Sequence, residues 1–236
     1  TKQKPIGIVY LIRDITHDKQ IEELREGFLR TVSHELRTPL TSVIGFIELV
    51  LHTGKENLSE EQLSCLNTSL QEAGSLKLLI NDLLELSHMQ ANQTQLNTKQ
   101  IFVHSFIETI TRSLSPLTKG KPLELINAIN HKQLSIVADE AKLRRILVNL
   151  ISNGIKFTEK GHIKVSCVDM DDCVEFCISD TGIGLKDDQV GVIFEKFRQV
   201  DYSSTRQYEG IGLGLSIVKE LVEHHNGEVR VESIYG

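Results

Sequence analysis

The stretch "NLSEEQL", residues 57–63, decides the architecture of the first third of this chain. Ser59 is placed to cap a helix and Gln62, three residues on, to bond back to it. Together they form a capping box followed by acidic first-turn residues. A helix therefore starts at Glu60 and is predicted to run to about Met89, with Leu63, Leu66, Leu70, Ala73, Leu76, Ile80, Leu83 and Leu84 at helical, near-heptad spacing. On the other side, Ile21, Leu24, Phe28, Val32, Leu36, Leu40, Val43, Ile47 and Val50 keep the same spacing from Asp18 to His52, and Gly54 is a natural stop. Two helices of roughly 30 residues, each about 45–50 Å long and joined by a few residues, form an antiparallel hairpin. A lone hairpin of that length leaves much of its apolar stripe in water, so a homodimer closing a four-helix bundle is expected.

Beyond the polar stretch at 91–100, read as a linker, the texture changes. Strand-like runs "LSIVA", "HIKVSCV", "CVEFCISD" and "GEVRVES" alternate with helical segments near 103–113, 140–152 and 215–224, and 162–168 with 173–179 reads as a hairpin around "DMDD". The fold class is α+β: a helical hairpin followed by an α/β sandwich. The predicted boundaries are 1–17 (the end of an upstream domain, with a linker), 18–92 and 95–236. The chain opens within a strand-like run without methionine and is expected to be a piece of a longer protein.

With 236 residues, 40% hydrophobic and 25% charged, the chain can bury two modest cores. Its 32 acidic and 26 basic residues give a net charge of -6 with no basic block, which argues against a nucleic-acid partner. Cys65, Cys167, Cys173 and Cys177 show no metal or disulfide spacing and read as small, mostly buried thiols in a reducing compartment. No apolar run approaches a membrane span, so this segment is expected to be cytoplasmic, with any anchor lying elsewhere in a longer protein.

Chemistry concentrates in four places. In "RRILVNLISNGIKFT", Asn149, Asn153 and Lys156 share one helical face, where amide oxygens suit Mg²⁺ and the ammonium suits phosphate; an ordinary amphipathic helix is an equal reading of that stretch alone. In "ISDTGIG", a strand delivers Asp180, an acceptor-only carboxylate able to receive the amino group of adenine, and Gly182 and Gly184 permit close backbone approach; a plain turn aspartate competes with this reading. In "GIGLGLSIV", Gly210, Gly212 and Gly214 lead into a helix whose N-terminus favours an anion, without the dinucleotide or Walker pattern. Finally, "SHELRTPL" sets His34 beside Glu35 and then Pro39, whose missing N–H and bulky ring are expected to bend or loosen that turn.

Taken in order, "SHELRTPL", "NLISNGIKFT", "DTGIG", "FEKFRQ" and "GIGLGL" resemble the H, N, G1, F and G2 boxes of the sensor histidine kinases of two-component signalling, over nearly the whole chain from about residue 18. The opening "YLIRDITHDKQIEELREGF" resembles the end of a PAS-type sensory domain. The resemblance implies a dimerisation and phosphoacceptor domain with His34 as acceptor and Glu35 as the acid that orients and deprotonates it. Thr38 is implied in the reverse phosphatase task. It also implies an ATP-binding domain, lacking its final strand, in which Asn149, Asn153 and Lys156 form the Mg²⁺ and phosphate face with Asn153 as metal ligand. Asp180 is then the adenine contact, Gly182, Gly184, Gly210, Gly212 and Gly214 are loop hinges, and Arg198, after Phe194 and Phe197, is a phosphate contact. Gly154 for the commoner Ala, Ile211 for Thr and "HHNG" for "HGG" depart from the pattern without removing a needed group. The implied partner is the receiver domain of a response regulator. The alternative function is an ATP-binding interaction module without kinase activity.

Overall fold

A computed structural model describes residues 14, 16–54, 57–90, 96–170, 172–196, 198 and 212–236. The opening strand-like run apart from Asp14 and Thr16, linker residues 91–95, Phe197, Gly210 and Ile211 lie outside the described residues. The chain divides into two compact units, Thr1–Asn92 and Gln93–Gly236.

The first unit is the hairpin of α1 (Thr16–Thr53) and α2 (Glu60–Gln90). The capping box forms in both directions: the Gln62 backbone N–H donates to Ser59 Oγ at 3.2 Å, and the Ser59 N–H donates to Gln62 Oε1 at 2.9 Å. At the end of α1 the Gly54 N–H still reaches the Val50 carbonyl at 2.8 Å. Ala73 and Ile80 are buried between the helices. Much of the α1 stripe is not: Phe28 is 66% and Phe46 68% exposed, and Leu36, Val43 and Leu49 are also exposed. The apolar face is wider than one partner helix covers. α1 continues through Pro39, which lies inside it. Around the proline, the hydroxyls of Thr38, Thr41 and Ser42 donate to the carbonyls of His34, Arg37 and Thr38, adding side-chain bonds to the neighbouring turns.

The second unit holds β1 (Thr98–Phe102), α3 (Val103–Leu114), a 3₁₀ turn at Ser115–Thr118, β2 (Leu123–Asn127), β3 (Ser135–Asp139), α4 (Glu140–Phe157), β4 (Gly161–Asp169), β5 (Val174–Asp180), the short α5 (Asp187–Val190) and α6 (Gly214–His224). The antiparallel β4–β5 hairpin pairs Val165 with Ile178, and β2 joins β4 in parallel. β1 and β3 form a separate two-stranded antiparallel sheet. Val103, Ile107 and Ile110 of α3, Leu147 and Ile151 of α4, and Ile163 and Val165 of β4 make one core.

Three readings are corrected. Part of the polar linker, 98–100, is strand β1, and β2 was not read as a strand. "GEVRVES" carries strand-like alternation but forms no ladder among the described residues; its contacts include Arg230 to Glu175 at 3.1 Å and the Leu185 N–H to Ser233 Oγ at 2.8 Å. Cys65, Cys173 and Cys177 are exposed rather than buried, because they lie on an outward helix face, at a hairpin turn and on the outer side of β5. Among the described residues no helix is long and apolar enough to cross a membrane.

The start of α4 is fastened by Asp139. Its Oδ1 accepts from the Ala141 and Lys142 N–H groups at 3.1 Å each and its Oδ2 from the Asn97 N–H at 3.0 Å. Its own N–H donates to His225 Nε2 at 3.2 Å, a bond that requires a neutral imidazole. Burial alone would raise the Asp139 carboxyl, but the Lys142 and Asn97 N–H groups and the Lys142 charge outweigh it and hold it below the usual range. Replacing Asp139 by alanine is expected to cost about 1–2 kcal/mol of stability. A depressed carboxyl stabilises above its unfolded pKa of about 3.9 and loses that contribution as pH falls through the folded value. Melting curves of the two proteins should therefore differ at pH 7 and converge in acid.

Candidate functional site

In the first unit, His34, Glu35 and Thr38 are all exposed on α1. Thr38 lies one turn beyond His34, and its hydroxyl reaches the His34 carbonyl at 3.5 Å, the limit of a hydrogen bond. The same turn is pinned to α2 by Arg37, whose Nη2 donates to Asn81 Oδ1 at 2.9 Å. Ser33 is 1% exposed, and its Oγ has no partner among the described residues. The helix thus turns Ser33 inward and His34 outward, and Arg37–Asn81 fixes that rotation. Neither the tie nor the buried serine was visible in the sequence, because each depends on what α2 presents.

In the second unit, α4, the end of β5 and the start of α6 meet. Asn149, Asn153 and Lys156 are half-buried along α4. Gly214, which opens α6, approaches Asn149 so closely that an added Cβ would stand 3.2 Å from its Oδ1. Gly154 lets α4 approach the sheet: a Cβ there would meet Ile163 Cγ1 at 3.1 Å and Asp180 Cβ at 3.6 Å. Here the glycine in place of the commoner alanine brings the α4 face and Asp180 together.

Asp180 ends β5 opposite Ile163 and is exposed. Its Oδ1 accepts from the Gly182 N–H at 2.9 Å, the bond of a turn aspartate, and this bond does not use Oδ2. A Cβ on Gly182 would lie 2.6 Å from the Phe157 carbonyl oxygen, 2.8 Å from Asp180 Oδ1 and 2.9 Å from Thr158 Oγ1. Gly184 has φ +66° and packs on the Ile234 carbonyl, and Gly212 has φ +74° and lies against the Arg198 backbone. These positions demand glycine for both space and left-handed backbone. Arg198 is exposed, with Glu195 at 3.5 Å. Next to it Lys196 pairs with Glu220 of α6 at 2.5 Å. Sequence reasoning missed Thr158 and the Lys196–Glu220 pair; a threonine directly after a helix carried no signal of its burial.

Among the described residues no three His, Cys, Asp or Glu side chains cluster as a metal site. The donor set is therefore amide oxygen beside a lysine and helix N–H groups. That set fits a hard divalent cation sharing its shell with phosphate oxygens and water, and it does not suit a softer metal.

Residues 24–92 match the family described as "His Kinase A (phospho-acceptor) domain", and residues 138–236 the family described as "Histidine kinase-, DNA gyrase B-, and HSP90-like ATPase". The peroxide stress-activated histidine kinase mak2 of Schizosaccharomyces pombe is 36% identical over 241 residues, 94% of this chain and 10% of that protein. The sensor histidine kinase WalK of Bacillus subtilis is 33% identical, over 98% of this chain and 38% of its own length. Among solved structures, full-length ShkA in complex with AMPPNP aligns with TM-score 0.75 at 33% identity, over 89% of this chain and 43% of that one. The histidine kinase AdeS of Acinetobacter baumannii shares the fold, with TM-score 0.56 at 21% identity over 81% of this chain and 86% of that one. The chain thus spans well under half the length of these curated relatives.

Proposed function

The chain belongs to the sensor histidine kinases of two-component signalling, and from that premise we propose that it moves the γ-phosphoryl group of ATP onto His34 and then onto an aspartate of a response-regulator receiver domain. The observation that carries this is the presence, in one chain, of an exposed His34–Glu35 pair on a rotationally fixed helix and of an amide, glycine and carboxylate face built from α4, β5 and α6.

Asp180 Oδ2 receives the adenine amino group while Gly182 N–H holds Oδ1. Asn149, Asn153 and Lys156 hold the triphosphate with Mg²⁺, Asn153 as the metal ligand, and the N–H groups opening α6 add to the anion site. Arg198 supplies a further phosphate contact. Bound Mg²⁺ neutralises charge on the phosphate oxygens. One imidazole nitrogen of His34 forms the N–P bond as the bond from phosphorus to the ADP oxygen breaks, and Glu35 takes the proton from the other nitrogen. Catalysis is mainly positioning and charge neutralisation.

The exposed apolar stripe of the hairpin is covered by a second copy, since each large side chain left wet forgoes about 1.5–3 kcal/mol. Incubation with γ-labelled Mg²⁺–ATP is expected to give an acid-labile, base-stable label. An unlabelled but dimeric, nucleotide-binding protein would remove the kinase reading.

Thr38 has the complementary task of orienting water against the regulator's aspartyl phosphate. Its bond to the His34 carbonyl is at the distance limit, so its hydroxyl is readily redirected. Thr38→Ala is expected to keep most autophosphorylation and lose most phosphatase activity, whereas Glu35→Ala chiefly slows autophosphorylation. Rates measured with a cognate regulator check this; equal loss of both activities in Thr38→Ala points instead to helix damage.

A further inference from the structure

Thr158 follows α4 immediately and leaves the helix in an extended conformation, φ −112°, ψ 118°. That turn drives its side chain inward: the residue is 0% exposed, and Oγ1 has no hydrogen-bond partner among the described residues. A buried hydroxyl in that state is destabilising, and its persistence calls for a use.

Its surroundings identify one. Thr158 Oγ1, Asp180 Oδ1 and the Phe157 carbonyl oxygen all lie within 2.9 Å of the single point that a Gly182 Cβ would occupy. Two of these three atoms are engaged: Oδ1 accepts from the Gly182 N–H at 2.9 Å, and the Phe157 carbonyl accepts from the Ile183 N–H at 3.3 Å. The hydroxyl alone has a proton and nowhere to donate it. The Asp180 carboxylate, which faces the same point, is the strongest acceptor there, so a movement of the Asp180–Gly182 turn toward Thr158 would give the hydroxyl a partner.

We propose that Thr158 is a positioning residue for base recognition: its hydroxyl donates to the Asp180 carboxylate when a nucleotide is seated, and so sets the preference for adenine over guanine nucleotides. This rests on the reading of α4, β5 and α6 as the ATP site. Two donors, Gly182 N–H and Thr158 O–H, then fix Asp180 in rotation. An ionised carboxylate only accepts, so it takes the 6-amino group of adenine and opposes the 6-oxo group of guanine. Without the hydroxyl, Asp180 is freer to rotate, and the contrast between the two bases shrinks.

The test is calorimetric binding of a Mg²⁺–ATP analogue, the matching GTP analogue and Mg²⁺–tripolyphosphate to the whole chain, for wild type, Thr158→Val and Thr158→Ser. Valine keeps the shape and removes the hydroxyl; serine keeps the hydroxyl. Thr158→Val is expected to bind the ATP analogue about tenfold more weakly, the worth of one hydrogen bond to a charged group, and to lose a similar factor of ATP over GTP preference. Tripolyphosphate binding should stay within twofold, and Thr158→Ser within twofold on every ligand. Because the free protein buries the hydroxyl unpaired, the valine variant should also melt at the same or a higher temperature. Unchanged nucleotide preference in Thr158→Val overturns the proposal, as does an equal loss in Thr158→Ser or a lowered melting temperature in Thr158→Val. A wild-type protein that binds neither ATP analogue nor tripolyphosphate overturns the ATP site itself, a distinct result that takes the proposal with it.

Discussion

Replacing His34 by glutamine is expected to abolish the acid-labile label while leaving affinity for a Mg²⁺–ATP analogue within a few-fold of wild type. The chemistry is lost because the amide nitrogen of glutamine has no available lone pair, whereas neutral imidazole carries one in the ring plane. The structure is kept because His34 is exposed in the middle of α1 and glutamine is a good helix former. Nucleotide affinity is kept because the α4, β5 and α6 face belongs to the other compact unit, Gln93–Gly236. Phosphoamino-acid analysis, helicity and calorimetry on one preparation decide the matter. A label surviving in His34→Gln moves the acceptor to another of the nine histidines. Loss of nucleotide binding contradicts the division of labour between the units.

Gly182→Ala carries the other large effect. A methyl group there would lie 2.6 Å from the Phe157 carbonyl oxygen, 2.8 Å from Asp180 Oδ1 and 2.9 Å from Thr158 Oγ1, distances that real Cβ contacts do not sustain. Two of the three obstructing groups are fixed, one as backbone and one as a fully buried side chain, so the Asp180 turn itself must move. Overpacking of this kind costs about 1–3 kcal/mol, which lowers the melting temperature of the second unit by several degrees. Because the displaced group is the carboxylate proposed to receive the base, affinity for the ATP analogue should fall tenfold or more and labelling with it. Gly191→Ala is the matched control: φ is −71° and nothing lies within 4 Å of the added methyl, so its effect should be neutral or slightly stabilising. Wild-type affinity in Gly182→Ala would place the base pocket away from Asp180.

What could be read in advance follows from how local each signal is. The start of α2 was legible because a capping box involves four consecutive residues, and both of its bonds form. The β4–β5 hairpin was legible because its partners are neighbours in sequence. β1 and β2 were not: only Ile101 of "TKQIF" is buried, and "LELIN" is a strand because it lies parallel to β4, over thirty residues away. "GEVRVES" failed in the opposite sense, since alternation gives a strand its faces but a ladder needs a paired edge.

The site divides along the same line. The sequence by itself determined the chemical inventory: His34 beside Glu35, amides and a lysine at helical spacing, Asp180 before two glycines, and glycines opening α6. Those choices are dictated by residue type and short spacing, which survive in any fold that forms the helices and strands. Only the tertiary structure decided that Ser33 faces inward while His34 faces out, that Gly154 and Gly214 let α4 approach Asp180 and the start of α6, and that Thr158 sits unpaired across Gly182 from a carboxylate. Burial, close approach and hydrogen-bond satisfaction are properties of pairs of atoms distant along the chain. No single stretch encodes them, because the free energy of a polar group is set by what the rest of the fold puts beside it.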